Sequence, residues 1–210
     1  MFEAGGRTVP LILASASVSR AEILQNAGLN FRQVPSDIDE RAIEAQLASN
    51  AEVTDEAYPE KLALSLAEAK ALAVSRDNPD ALVIGADQVM ACGDDILHKP
   101  ETLEAAREQL MHLRNRTHSL FSGICTAAGA SVEWRHFTRA DLVMRDFSDA
   151  FLDAYCRAEG ETMLRSVGSY RVEGPGIHLF SAIRGDLHTI MGLPLLPLLG
   201  YLREAGKLMR

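Results

Sequence analysis

LILASASVSRAEIL, residues 11–24, decides how the rest of the chain is read. Leu11-Ile12-Leu13-Ala14 is small and apolar, the composition of a buried strand bounded by a turn. Ser15-Ala16-Ser17-Val18-Ser19 is a short turn rich in hydroxyls, and Arg20-Ala21-Glu22-Ile23-Leu24 opens a helix. A strand that runs through such a turn into a helix N-terminus presents unpaired backbone N–H groups at the positive end of the helix dipole. That is an anion site in waiting, and Arg20 adds a planar donor fork suited to phosphate oxygens. The plain alternative is that these serines are ordinary helix caps.

Working outward, Gly28 ends the first helix and Phe31-Arg32-Gln33-Val34 reads as a second short strand, followed by an acidic turn from Pro35 to Arg41. Residues 42–58 are polar and weakly helical. Pro59 suits a first helical turn, and the helix from Glu60 to Ser75 carries Leu62, Leu66, Ala69 and Ala73 on one face. Lys70 lies at the edge of that face, where most lysines snorkel to water. Ala81 to Ala86 is an apolar run fit for a strand buried on both faces, ending at Asp87-Gln88. Carboxylates at the C-terminal end of such a strand recur in α/β active sites.

Further on, Asp95 to Pro100 is a short segment that carries His98 and Lys99, and Thr102 caps a helix with Leu103, Ala106, Leu110 and Leu113 on one face. From residue 117 the period changes. Residues 117–128 read as a strand, and apolar Val132, Trp134, Ala140, Leu142 and Met144 at even positions alternate with charged Glu133, Arg135, Arg139, Asp141 and Arg145 at odd ones, as in a long half-buried strand or hairpin. Ser148 caps a helix reaching Arg157. Gly168 to Gly176 reads as a glycine-punctuated strand and turn, Ile177 to Ile183 as a strand, and a closing helix ends near Gly206. There are no internal repeats or low-complexity tracts. Strands alternating with helices imply an α/β fold with a mixed sheet.

The chain has 210 residues, enough for one domain with a sizeable core. Its net charge of −8, from 21 basic and 29 acidic residues, argues against a nucleic acid polymer or an anionic membrane as partner. A phosphate ligand would have to be held by a local cluster of cations. Cys92, Cys125 and Cys156 form no CxxC pair and read as small structural thiols. MFEAGGRTVP lacks the regions of a signal peptide, and no apolar run reaches membrane-spanning length, so a cytoplasmic location is expected.

The chemistry-bearing candidates are Ser15, Ser17, Arg20, Glu40, Lys70, Asp87 and Lys99. Together they supply anion donors, cations and two carboxylates, the set needed for metal-assisted attack on a phosphate. Glu40 and Asp87 can hold a hard divalent cation, while Arg or Lys neutralises phosphate oxygens. Asp87 could instead act as general base, weak at a free pKa of about 3.9 unless its surroundings help. Singly, Glu40 reads as a solvated turn residue, Lys99 as a surface lysine and Asp87 as a strand-end cap. The six histidines show no ligand spacing, and no GxSxG elbow, P-loop or GxGxxG after a strand is present.

LASASVSRAEIL, SDIDE, LALSLAEAKALAV, IGADQVM, HKP, GSYRVEG and GLPLLPLLGYL occur in the order seen in the Maf family of nucleotide pyrophosphatases, spread from Leu11 to Leu202. The resemblance implies a single Maf-like domain over residues 1–210. Its fold would be α/β, a two-lobed mixed sheet flanked by helices with a central nucleotide cleft, similar to the inosine triphosphatases, and often dimeric. It implies hydrolysis of a nucleoside triphosphate to monophosphate and pyrophosphate with a divalent metal (Mg²⁺, Mn²⁺ or Co²⁺). By position, Ser15, Ser17 and Arg20 match the family's phosphate-binding opening, Glu40 and Asp87 its acidic residues, and Lys70 and Lys99 its cleft lysines. Asp87 is the proton acceptor that the resemblance implies.

Asp87-Gln88-Val89 and Gly168-Ser169-Tyr170 with Glu173-Gly174 resemble members acting on 7-methyl-GTP, whereas members acting on dTTP and UTP usually carry Thr and Gln at the positions of Gln88 and Glu173. A carboxylate at Glu173 can accept from a guanine N–H edge or face a methylated ring's positive charge. Ser19 stands where other members carry arginine or tryptophan, and His98 where they carry glycine. Gln88, Glu173 and Ser19 complete the substrate-binding candidates. Two other readings stay open, a nucleotide-binding regulator of cell division with little hydrolysis and a dTTP/UTP pyrophosphatase; a phosphatase releasing single phosphates is a weaker third.

Overall fold

The computed structural model describes residues 9–49 and 57–209. Residues 1–8, most of the stretch read for a signal peptide, and residues 50–56 of the polar segment lie outside them. Among the described residues, no helix is long and apolar enough to cross a membrane.

β1 (Leu11–Leu13) forms where expected. It pairs in parallel with β2 (Arg32–Gln33), with Leu13 opposite Gln33, and with β3 (Leu82–Cys92), with Leu13 opposite Ile84. α1 (Val18–Asn26) connects β1 to β2, and Gly28, at φ +73°, follows its end. α2 (Glu40–Ala48) and α3 (Tyr58–Asp77) connect β2 to β3. The predicted acidic turn at 35–41 is therefore cut short: Asp39 caps α2, accepting the Ala42 N–H at 3.0 Å, and Glu40 becomes a first-turn residue where a carboxylate suits the helix dipole. β3 also runs past its predicted end. Val89 to Cys92 are as apolar as the residues before Asp87, and they continue into a tight turn and an antiparallel pairing with β4 (Asp95–Leu97). Asp87 thus sits mid-strand, not at a strand end.

After α4 (Leu103–Leu113), β5 (Thr117–Ala128) and β6 (Ser131–Met144) follow with only two residues between them. Gly129 and Ala130 both have positive φ (55° and 63°), the signature of a type I′ hairpin turn. α5 (Asp149–Glu159) begins at the predicted cap, Ser148 Oγ accepting the Phe151 N–H at 3.2 Å. The predicted strand at 168–176 is absent: residues there form turns leading into a 3₁₀ segment, Pro175–Leu179. β7 (Phe180–Arg184) starts three residues later than expected and pairs antiparallel with β6. α6 (Leu187–Ile190) and α7 (Leu195–Glu204) close the chain. The strands hydrogen-bond in the order β2-β1-β3-β5-β6-β7, with β4 on β3, a mixed seven-stranded sheet.

The chain divides into two compact units, one of Met1–Gln88, Ser122–Thr138 and Gly192–Arg210, the other of Val89–Phe121 and Arg139–Met191. In the first, Ile12, Ala67, Ala71, Val74, Val83 and Cys125 form a core in which α3 lies hard against the strands. Two glycines permit this. A Cβ on Gly85 would lie 2.1 Å from the Ala67 carbonyl oxygen, and one on Gly123 would lie 2.6 Å from that of Ala63. Ala63, Ala67 and Ala71 recur every four residues, so a stripe without bulk on the helix meets strand positions without side chains. Burial pushes the Cys125 thiol up to about 12, as suits a structural thiol.

The second unit packs Met90, Leu110, Leu120, Leu142, Phe147 and Leu152 into its own core. His118 lies in this core, 1% exposed, sharing a 2.7 Å hydrogen bond with the Tyr170 hydroxyl while its Nδ1 has no hydrogen-bond partner among the described residues. Burial pushes the imidazole down to about 4, against the opposing pull of Asp141. The unfolded chain takes up a proton below about pH 6.5, whereas the native imidazole waits until about 4. Stability is therefore expected to fall as pH drops through that window. Urea unfolding at stepped pH should show wild-type stability changing there about 1.4 kcal/mol per pH unit more steeply than that of His118→Gln. Parallel slopes would contradict the assignment.

Candidate active site

The hydroxyl-rich turn is held by its own strand neighbours. The Ala14 N–H donates to the Ile84 carbonyl at 2.8 Å, which ends the ladder and leaves Ser15 buried at the head of the turn. Ser15 Oγ accepts the Ser17 N–H at 3.2 Å, and Ser17 Oγ accepts the Arg20 N–H at 3.4 Å, so Ser17 is the N-cap of α1. The helix begins two residues before Arg20, and Ser19 lies within its first turn. From β2, Gln33 Nε2 donates to the Ser15 carbonyl at 2.8 Å and ties the turn down from outside.

Arg20 is fixed at both faces of its fork. Its Nε donates to the Gly192 carbonyl at 2.8 Å and its Nη1 to Ser15 Oγ at 3.2 Å. Burial lowers its pKa, while the nearby charges of Asp87 and Glu40 oppose that. A guanidinium stays protonated throughout. The result is a fixed positive charge in electrostatic reach of two carboxylates and beside a capped helix N-terminus.

Those two carboxylates meet on one ammonium. Lys70 Nζ pairs with Glu40 Oε1 at 2.7 Å and makes a shorter contact with Asp87 Oδ1. Lys70 does not snorkel: it shares the buried face of α3 with Leu66, Ala67 and Val74 and is 8% exposed. The Gly85 and Gly123 contacts explain the placement, since Asp87 is two residues from Gly85 on the same strand face and Lys70 is one turn from Ala67 on α3. Glu40, half exposed at its side chain, reaches the same nitrogen from the start of α2. Sequence nominates Ser15, Ser17, Arg20, Glu40 and Lys70 with Asp87; in the first unit hydrogen bonds join Ser15, Ser17 and Arg20, ion pairs join Glu40, Lys70 and Asp87, and Arg20 feels the charges of Asp87 and Glu40.

Gln88 is different. Strand alternation turns it to the opposite sheet face from Asp87, where its Nε2 donates to Ser122 Oγ at 2.9 Å. Lys99 and Glu173 belong to the second unit. Lys99 is exposed in the loop after β4, and Glu173 is exposed between the buried Val172 and the turn at Gly174. Sequence reasoning missed Gln33 and the Gly192 carbonyl, whose roles depend on chain segments far from the turn they hold; no local pattern marks either.

A mixed sheet with helices on it, a serine-lined helix start and a lysine clamped by two acids belong to an α/β protein of a particular lineage: the chain is a member of the Maf-like protein family, which matches residues 10–205. A protein of Brucella abortus biovar 1 (strain 9-941) named 7-methyl-GTP pyrophosphatase is 50% identical over 94% of this chain and 96% of its own length. One from Granulibacter bethesdensis named nucleoside triphosphate pyrophosphatase is 43% identical over 92% of this chain and 96% of its own. Among solved structures, a HAM1 protein from Coxiella burnetii shares the fold, with a TM-score of 0.52 at 14% identity, covering 93% of this chain and 99% of that one.

Proposed function

We propose that the protein is a nucleoside triphosphate pyrophosphatase that cleaves a modified nucleotide such as 7-methyl-GTP to the monophosphate and pyrophosphate. The observation that carries the reaction type is the Lys70 ammonium held between Glu40 and Asp87 beside the Ser15–Arg20 turn. Arg20 and the first N–H groups of α1 bind phosphate oxygens, Lys70 neutralises charge on the departing pyrophosphate, and Asp87 accepts the proton of the attacking water. The water's oxygen ends on the nucleoside monophosphate, and the α–β anhydride bond breaks. Lys99 acts at phosphate and Glu173 at the base edge. Gln88, on the other sheet face, acts by bracing β3 against β5 through Ser122.

The donor chemistry fits a divalent ion. Among the described residues no three His, Cys, Asp or Glu side chains gather, but Glu40 and Asp87 already converge on a single cation. A hard ion held by two carboxylates and completed by phosphate oxygens and water needs no third acid. Bound there, it would polarise a phosphoryl oxygen and acidify water. A cytoplasmic, homodimeric enzyme of nucleotide-pool cleaning is consistent with this reading.

The test is a nucleotide panel of 7-methyl-GTP, GTP, dTTP, UTP and CTP with Mg²⁺, Mn²⁺ or Co²⁺, separating monophosphate, pyrophosphate and orthophosphate by chromatography. Pyrophosphate released preferentially from 7-methyl-GTP is the expected result. Preference for dTTP and UTP keeps the reaction and removes the substrate assignment. Nucleotide binding without pyrophosphate would make the protein a regulator instead.

A further inference from the structure

We propose that Gln109, on α4, is a positioning residue that sets Lys99 and Glu173 together, one end of its amide serving each. Its Nε2 donates to the His98 carbonyl at 2.8 Å, one residue before Lys99. Its Oε1 accepts from Ser169 Oγ at 2.9 Å, in the turn that leads to Glu173. The orientation of the amide is forced, because a backbone carbonyl can only accept and so must face the NH₂. Glutamine is the side chain suited to this task, carrying a donor and an acceptor on one planar group.

Both loops present exposed residues, Lys99 and Glu173, and the one amide ties both loops to α4. α4 supplies the rigid base. Its Ala106, Leu110 and Leu113 are buried in the second unit's core, so Gln109, next to Leu110, moves with that core. Ser169 is pinned from two directions: it is fully buried, and the Tyr155 hydroxyl donates to its carbonyl at 3.2 Å. It also has φ +62°, a conformation uncommon for any residue but glycine. The turn keeps that conformation with its hydroxyl directed at Gln109. The inference rests on the reading that Lys99 and Glu173 touch the nucleotide.

The two ends of the amide can be cut separately. Gln109→Glu keeps an acceptor for Ser169 and loses the donor to His98. Ser169→Gly removes the hydroxyl while tolerating the positive φ. Steady-state kinetics on 7-methyl-GTP and GTP, with a thermal melt of each variant, then separate the effects. Gln109→Glu is expected to lower kcat/KM about tenfold on both nucleotides and leave their ratio unchanged, within the hundredfold that a 1 Å misplacement can cost. Ser169→Gly should lower the ratio of 7-methyl-GTP to GTP about tenfold, chiefly through KM. Gln109→Leu should do both.

A purely structural role would instead lower all parameters together, in step with the melting temperature, and that pattern overturns the proposal. So does wild-type behaviour of Gln109→Leu. Lys99→Ala and Glu173→Gln are the controls. If Lys99→Ala leaves the rate, or Glu173→Gln the ratio, as in wild type, the underlying reading of those residues has failed and the inference falls with it. If both controls shift and the Gln109 and Ser169 variants do not split, the inference alone has failed.

Discussion

Asp87→Asn is expected to lower kcat by about 10²–10⁴-fold, the range general-base removal costs, while nucleotide binding survives. The substitution keeps the size of the side chain and its place mid-strand on β3, and it leaves Arg20, Ser15 and the α1 N-terminus untouched. What it removes is the proposed proton acceptor and one of the two charges facing Lys70. Glu40 still pairs with that ammonium at 2.7 Å, so Lys70 stays compensated and the fold should hold. Turnover with saturating metal and nucleotide, set beside calorimetric binding of the same nucleotide, checks both halves. An enzyme of full activity would remove Asp87 from the chemistry. Loss of binding in proportion to loss of rate would make it a substrate ligand rather than a base.

Lys70→Met is expected to act on the fold as well as on the rate. Lys70 and Asp87 side chains are 10% and 11% exposed, so deleting the ammonium strands a buried carboxylate. Breaking one side of a buried pair costs about 3–5 kcal/mol, which at this chain length lowers the melting temperature by roughly 10 °C. Removing both charges behaves differently. Lys70→Met with Asp87→Leu should recover most of the lost stability and none of the activity, since an apolar pair of similar volume is often neutral in place of a buried ion pair. Thermal and urea unfolding of the three proteins decide it. Equal stability of Lys70→Met and wild type would mean that the carboxylates relax into solvent, and that the pair is not the buried device described above.

The same pair marks where local reading stops. Periodicity recovered α3, but its weak amphipathic pattern placed Lys70 at the edge of the apolar face, and only the approach of α3 to Gly85 and Gly123 turns that position into a buried one. Composition could not end β3 at the right place either, because Asp87 and Gln88 interrupt an apolar run that resumes at Val89 and is completed by the β4 pairing. The glycines between residues 168 and 176 suggested a strand, yet the turns there are held by Ser166 Oγ to the Tyr170 carbonyl at 2.7 Å and by Arg171 to Glu159 at 3.2 Å, partners outside any strand register.

Sequence by itself determined the α/β alternation, the caps at Thr102 and Ser148, the hydroxyl-rich helix start and the residue types for phosphate chemistry. Those features depend on neighbours within about four residues, through helical spacing, capping bonds and side-chain alternation. Tertiary structure alone decided that Glu40, Lys70 and Asp87 share one nitrogen, that Gln88 faces away from them, and that Gly192 and Gln33 hold the turn. Each of those contacts joins distant segments, and its geometry follows from how closely helix and sheet can pack.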